Sequence, residues 1–525
     1  MKYDLVQTEE QNKLESRLIH SFVCLPANPW SIQKLSHSNM ACILGGWYCG
    51  VEPCKIKVIP RIDGTKENLI EILKHKELIG SIEIPDDMEV VRHVIPTVCL
   101  TAQVWAQAPG GAPMPTAEQT DPVKLGWMVG SPPAPDKVIR WADGSFYTFP
   151  KFRWSFSHGR ELMSTSNVSR GLGSPSPLPR AERADLDRVT FVPLGKTEPM
   201  TWAQSLSANF TDGVVVLHKG RIVYERYFGA LSANGQHAGQ SVTKSFFGTI
   251  GAMLVAEGKL DANAKVAQYI PELKDSGFGN ATVRQVLDMT TGIKYSENYA
   301  DPKAEIWDHV RAGNVLPRPP GYQGPKSFYE FLKTVQPEGE HGQAFAYKTV
   351  NSDVLGWLIR RVTGKSVGEN LSDRIWSKLG MEQDAYIAID TEGTEFAGGG
   401  LNTGLRDLAR FGEMMRQEGR FNGQQIIPKA VVEDIRGGGD KTHFAKANYP
   451  TLPGASYRNM WWVLNNANGA FAARGIHGQT IYVDPKAEMV IARYASFPMA
   501  ANAFNDPTSL PAFQALADKL MSDPK

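Results

Sequence analysis

Beyond residue 99 the chain has no cysteine: Cys24, Cys42, Cys49, Cys54 and Cys99 are the whole complement of 525 residues. Everything after Cys99 therefore lacks the means for an internal disulfide, a thiolate nucleophile or a cysteine-ligated metal. Cys49 and Cys54 can pair or join a zinc site, but no second Cys pair or His spacing completes a metal motif. Charge of one sign is also missing, with 56 Lys plus Arg against 55 Asp plus Glu, so nothing draws the chain to nucleic acid or an anionic membrane. A small-molecule substrate is the remaining default. No apolar run reaches the roughly 18 to 20 residues of a membrane span, and no repeat of solenoid or propeller type is visible. What is present is ordinary for a soluble protein, 42% apolar and 21% charged, and long enough for two or three domains.

Residues 1–93 read as an extension of uncertain order, with one amphipathic helix expected over Lys66–His75. Over 94–108, Val94-Ile95-Pro96-Thr97-Val98-Cys99-Leu100 precedes Ala106-Gln107-Ala108, a small-x-small pattern. This has the form of a short export signal, with a buried strand and linker as the alternative. A mature protein beginning near Pro109 would be periplasmic or secreted, and one retaining Met1 cytoplasmic. Residues 109–185 begin rich in Pro, Gly and Ala and then carry Trp141, Phe146, Tyr147, Phe149, Phe152, Trp154 and Phe156. Such aromatic density predicts a strap packed on a body, with carbohydrate stacking as the alternative.

The body is expected over 186–525. Gly213–His218 and Arg221–Tyr227 predict two strands around the turn Lys219-Gly220, and Thr480–Tyr494 predicts two more around Asp484-Pro485. A mostly helical region fills 262–400, and a terminal helix follows over 510–521. Strands near both ends with helices between predict a mixed α/β body, one antiparallel sheet closed by both ends of the chain.

The chemistry centres on Gln240-Ser241-Val242-Thr243-Lys244-Ser245-Phe246. Helical apolar periodicity starts just after the lysine, which places Ser241 and Lys244 in a first helical turn and on one face. A serine needs a base to become a nucleophile, and a lysine serves only when burial or nearby positive charge lowers its pKa. Ser-x-x-Lys alone is a weak signal, since it recurs by chance at helix starts.

Further segments strengthen it: Thr282–Ile293, Tyr347 with Leu355-Gly356-Trp357, Arg406–Gly412, and Gly475-Ile476-His477-Gly478-Gln479 ahead of Val483-Asp484-Pro485. Over roughly residues 110–525 this ordered set resembles the serine β-lactamase and penicillin-binding-protein superfamily, in its class C and family VIII esterase branch. Within that branch it is most similar to the 6-aminohexanoate-dimer hydrolases. The resemblance implies a β-lactamase/transpeptidase-like fold with a central antiparallel sheet, flanking helices and an inserted, mostly helical domain. It also implies a covalent acyl-enzyme on Ser241, with no metal or organic cofactor. Lys244 and Tyr347 would share the serine proton, the phenolate form of Tyr347 being favoured beside a lysine ammonium. The backbone N–H groups of Ser241 and Ile476 would form the oxyanion hole, with Gly475 as the close-approach glycine. A second register puts that glycine at Gly478 and the donor at Gln479. Tyr299 resembles the tyrosine that assists amide cleavage.

Two positions depart from the β-lactamase pattern: Thr349 stands where an asparagine is expected and Ala473 where a lysine faces the β-lactam carboxylate. Arg474 or His477 can replace part of that charge, and Asp301 and Asp308 are candidates for an amino-terminated substrate. His477 with Asp407 or Asp484 also permits a Ser-His-Asp triad, disfavoured because Lys244 and Tyr347 already supply the base. The expected function is hydrolysis of small linear amides. Short-chain esterase, weak β-lactamase and non-catalytic scaffold are the alternatives, and a homodimer is left open.

Overall fold

A computed structural model describes residues 114–522 together with three strand segments, Lys55–Pro60, Glu67–Lys74 and Glu77–Pro85. The chain divides into two units, Met1–Met114 with Ala300–Pro302, and Pro115–Tyr299 with Lys303–Lys525.

In the first unit the three strands form an antiparallel sheet in sequence order, with Lys55 opposite Leu73 and Glu67 opposite Pro85. The helix expected over Lys66–His75 is thus corrected: Glu67–Lys74 is the central strand. A short apolar run such as Leu69-Ile70-Glu71-Ile72-Leu73 fits both periods. Its β-branched residues, and neighbours that pair with it on both edges, decide for the strand. The signal-like segment 94–108 lies outside the described residues.

The second unit is built on a seven-stranded sheet. In chain order its strands are β1 (Thr211–His218), β2 (Arg221–Tyr227), β3 (Ser456–Arg458), β4 (Trp461–Val463), β5 (Phe471–Gly475), β6 (Gln479–Asp484) and β7 (Met489–Ala495). Their spatial order is β3-β4-β5-β6-β7-β1-β2, antiparallel throughout. The N-terminal hairpin therefore closes against the last strand, as the strand pattern predicts. Lys219 and Gly220 both have positive φ, 51° and 75°, the conformation that joins two twisted strands most tightly.

Strand β1 is continuous in apolar residues because both of its faces are covered. Val215 and Leu217 enter the larger core, and Val214 and Val216 the smaller one. Helices α1 (Val242–Ala256) and α4 (Leu405–Arg416) contribute to the larger core, and α5 (Asp506–Ser522) to the smaller. Between them run short helices, among them α2 (Glu305–Ala312) and α3 (Val350–Thr363). Helix α1 is buried from Val242 to Leu254. A side chain at Gly248 would meet the Asn459 carbonyl at 2.1 Å, so this glycine lets α1 lie directly on the β3–β4 turn.

The aromatic strap is part of this unit. Arg153, 2% exposed, bonds to Ser496 Oγ at 3.1 Å and lies 3.5 Å from Asp212. Thr165–Val168 forms the edge of a second sheet with Ala385–Ala388, Leu401–Gly404 and Gln236–Ala238. Among the described residues no helix is long and apolar enough to cross a membrane.

Candidate active site

Ser241 occupies the position before the first residue of α1, following Gln240 at φ 47°. That left-handed residue turns the chain from Gln236–Ala238 into the helix. One turn on, Lys244 is fully buried and its Nζ donates to Ser241 Oγ at 2.8 Å. It also donates to the Gly398 carbonyl. Burial lowers the Lys244 pKa from 10.5 to about 8, against the opposing pull of Glu297 and Asp353. That leaves about a tenth of the amine neutral at pH 7 and half at pH 8, against almost none for an ordinary lysine, so it can serve as a base.

Tyr347 completes the group. Its phenol interacts with Ser241, which opposes the rise in its pKa, and its ring centroid lies 5.2 Å from Lys244 Nζ. The ring stacks on Trp462 at 5.4 Å. Burial, followed by Glu297, drives the phenol pKa well above 10. The favoured phenolate expected from the sequence is not what burial supports: desolvation, ahead of Glu297, favours the protonated phenol.

Strand β5 ends beside the serine. A side chain at Gly475 would stand 2.8 Å from the Gly239 carbonyl and 3.0 Å from Ser241 N, so only a glycine fits. Ile476 and Ser241 line the same cleft. At the alternative register, a side chain on Gly478 would instead meet Ala495 and the Arg493 guanidinium, and Gln479 is a buried β6 residue paired with Gly475.

The cleft, counted together with its open mouth, spans about 840 Å³. Strap residues Phe146, Tyr147 and Phe156 line it together with Ile306, Trp307, Val310 and Leu316, beside Ser241, Tyr299 and Thr349. Among the described residues, none that lines it carries a charged side chain. Tyr299 donates to Glu297 Oε1 at 2.7 Å and meets Trp307 edge-on at 5.9 Å.

Other candidates lie elsewhere. Arg474 alternates with Gly475 along β5; it is buried, ion-paired with Asp506 and over the Trp462 ring at 5.2 Å, and is absent from the cleft lining. Asp308 is exposed on α2, 3.2 Å from Arg311. Asp301 groups with the first unit and is not a lining residue. His477 is buried in an aromatic nest, its ring centroid 4.7 Å from Phe152 and 5.4 Å from Phe156, and its Nδ1 is 2.7 Å from the Phe497 carbonyl. Burial lowers its pKa to about 4, leaving it neutral. No triad forms around it, because Asp407 accepts from Arg410 and the Glu382 N–H, and Asp484 from Asn468 and the Ala487 N–H.

Two carboxylates escape sequence reasoning. Glu297 accepts from Tyr299, from Thr349 Oγ1 at 2.6 Å and from Thr349 N at 2.7 Å. Asp353 accepts the Gly398 N–H at 3.1 Å, steadying the carbonyl that holds Lys244, and lies 3.0 Å from His309 Nε2. Only the Glu297-x-Tyr299 spacing hints at the first, and nothing local hints at the second. Among the described residues no group of three or more His, Cys, Asp or Glu side chains could hold a metal ion.

With this geometry in place, similarity to known proteins is informative. The Beta-lactamase family profile matches residues 204–506. The chain is 34% identical over 355 residues to the 6-aminohexanoate-dimer hydrolase of Paenarthrobacter ureafaciens, covering 67% of this chain and 88% of that one. A solved structure from Bacillus anthracis, provisionally assigned as a 6-aminohexanoate-dimer hydrolase, superposes with a TM-score of 0.67 at 33% identity, over 75% of this chain and 100% of the other. An uncharacterised protein of Alkalihalophilus pseudofirmus is 21% identical over 346 residues, 58% of this chain and 87% of its own.

Proposed function

This chain belongs to the β-lactamase family of serine hydrolases, and from that premise we propose that Ser241 carries acyl transfer from small, largely apolar linear amides, with esters as a second substrate class. The observation that carries the reading is the 2.8 Å contact between Ser241 Oγ and the buried amine of Lys244.

Neutral Lys244 takes the hydroxyl proton as Ser241 Oγ attacks the substrate carbonyl. The resulting oxyanion accepts from the N–H groups of Ser241 and Ile476, donors that need no reorganisation at the moment of reaction. The C–N bond then breaks as the leaving nitrogen receives a proton from Tyr347, which is resupplied from Lys244. Water, deprotonated by the same pair, releases the acid and restores Ser241. Tyr299 adds a second hydroxyl on the leaving-group side by turning its one proton from Glu297 to the nitrogen. This favours amides, because an amine must be protonated to depart whereas an alcohol depends on it less.

The uncharged, aromatic cleft supports an apolar acyl chain. With Ala473 at the lysine position and Arg474 engaged by Asp506, the usual clamp for a β-lactam carboxylate is missing. The relative from Paenarthrobacter suggests the aminohexanoate dimer as the first amide to test. Brief exposure to an activated ester followed by peptide mass spectrometry should place the acyl group on the Ser241 peptide, and Ser241→Ala should abolish it. Label on another residue overturns the assignment. Turnover of the dimer, a short-chain nitrophenyl ester and nitrocefin should fall in that order relative to each uncatalysed rate. A fast ester with an inert dimer would make the protein an esterase.

A further inference from the structure

A second cavity lies behind the active-site strand, between β5–β7 and the start of α5. It is lined by Arg474, Arg493, Asp506, Asn505, Ser509 and Tyr482, among others. Among the described residues, the charged groups lining it are two guanidiniums and one carboxylate. Arg474 and Arg493 are 8% and 3% exposed, so a net positive charge is buried with them, which is costly unless something neutralises it.

Among the described residues only one carboxylate lines the cavity to offset the two cations. Asp506 is already used by Arg474 and by Thr451 Oγ1 at 2.7 Å. Arg493 gives Nε to the Gly478 carbonyl at 3.0 Å and Nη1 to Ser509 Oγ at 2.8 Å. Both acceptors are neutral. Arg493 Nη2 and the Nε and Nη1 of Arg474 give no hydrogen bond to a described residue, and beyond these bonds the two guanidiniums meet only the faces of Phe513 and Trp462, each at 5.2 Å. Burial and the facing Arg474 lower the Arg493 pKa to about 10 despite Asp506. The gap has room for a water-sized occupant or one slightly larger.

We infer that this gap is a binding site for one small monovalent anion of halide size, chloride being the abundant example, held between the guanidiniums of Arg474 and Arg493. Guanidinium N–H donors in a poorly hydrated setting suit such an ion, and the first turn of α5 adds its positive end. The site is independent of the hydrolase reading, because none of its groups lines the catalytic cleft.

The test is thermal unfolding of the full-length protein at constant ionic strength, replacing gluconate stepwise by chloride. Binding to the folded state alone should raise Tm saturably, by about 3 °C or more once chloride greatly exceeds its dissociation constant. Arg493→Met should remove the chloride dependence. Superimposable curves in the two salts, or a chloride response unchanged in Arg493→Met, overturn the site. Should that variant not fold, crystals of the unmodified protein grown in bromide decide. An anomalous peak beside Arg493 Nη2 and Arg474 supports the assignment, and a water there with bromide elsewhere refutes it.

Discussion

Glu297 accepts a hydrogen bond from the Tyr299 hydroxyl at 2.7 Å. The same carboxylate binds Thr349 twice, through its N–H and its hydroxyl, so one acidic group fixes both the loop tyrosine and the residue two places after Tyr347. Tyr299→Phe should therefore lower kcat/KM for an amide by about tenfold to a hundredfold, within the usual range for a general acid, while an ester loses less than about threefold. Parallel kinetics on matched amide and ester substrates check this. Equal losses on both would reduce Tyr299 to a packing role.

The buried amine predicts a pH profile. Lys244 must be neutral to accept the serine proton, so kcat/KM should rise with pH to a plateau, with a midpoint near its pKa of about 8. The stability linkage has a definite sign. The unfolded lysine keeps its proton up to 10.5, the folded one only to about 8, so stability rises with pH between those values. Below pH 8 the full cost of the buried ammonium is present, about 3 kcal/mol from the displacement. Lys244→Met should abolish turnover yet unfold at higher denaturant than the parent at pH 7, with the gap closing toward pH 10.

Asp353 offers a separate handle on the same amine. Its charge helps keep Lys244 protonated, and its Oδ1 holds the Gly398 N–H. Asp353→Asn retains an oxygen acceptor and removes the charge. The midpoint of the pH profile should move below its parental value, with the plateau rate changed less than about tenfold. An unmoved midpoint would show that Asp353 acts through packing alone.

Gly475→Ala tests the oxyanion hole by crowding. The added methyl would press on Ser241 N and the Gly239 carbonyl. Turnover should fall by about a hundredfold or more, the scale of losing one such donor, while KM changes little. Steady-state kinetics with a melting curve separate this from unfolding, since Tm should fall by only a few degrees.

The amino-acid sequence by itself determined the hairpin at Lys219-Gly220, the two terminal strands around Asp484-Pro485, the helix beginning at Ser241, and the Ser241–Lys244–Tyr347 group. Turn chemistry, local periodicity and motif spacing are short-range properties, and each of these features is encoded within a few residues or a motif. Tertiary structure decided the rest, because burial and pairing depend on residues far away in the chain. Leu69–Leu73 became strand through neighbours on both edges. The phenol of Tyr347 was pushed toward its protonated form by desolvation that no motif records. Arg474, one residue from Gly475, was turned by strand alternation to the opposite face, where Asp506 engages it. Glu297 reached Thr349, and Asp353 reached Gly398, only once the chain had folded, since the distance between two side chains belongs to the packed molecule.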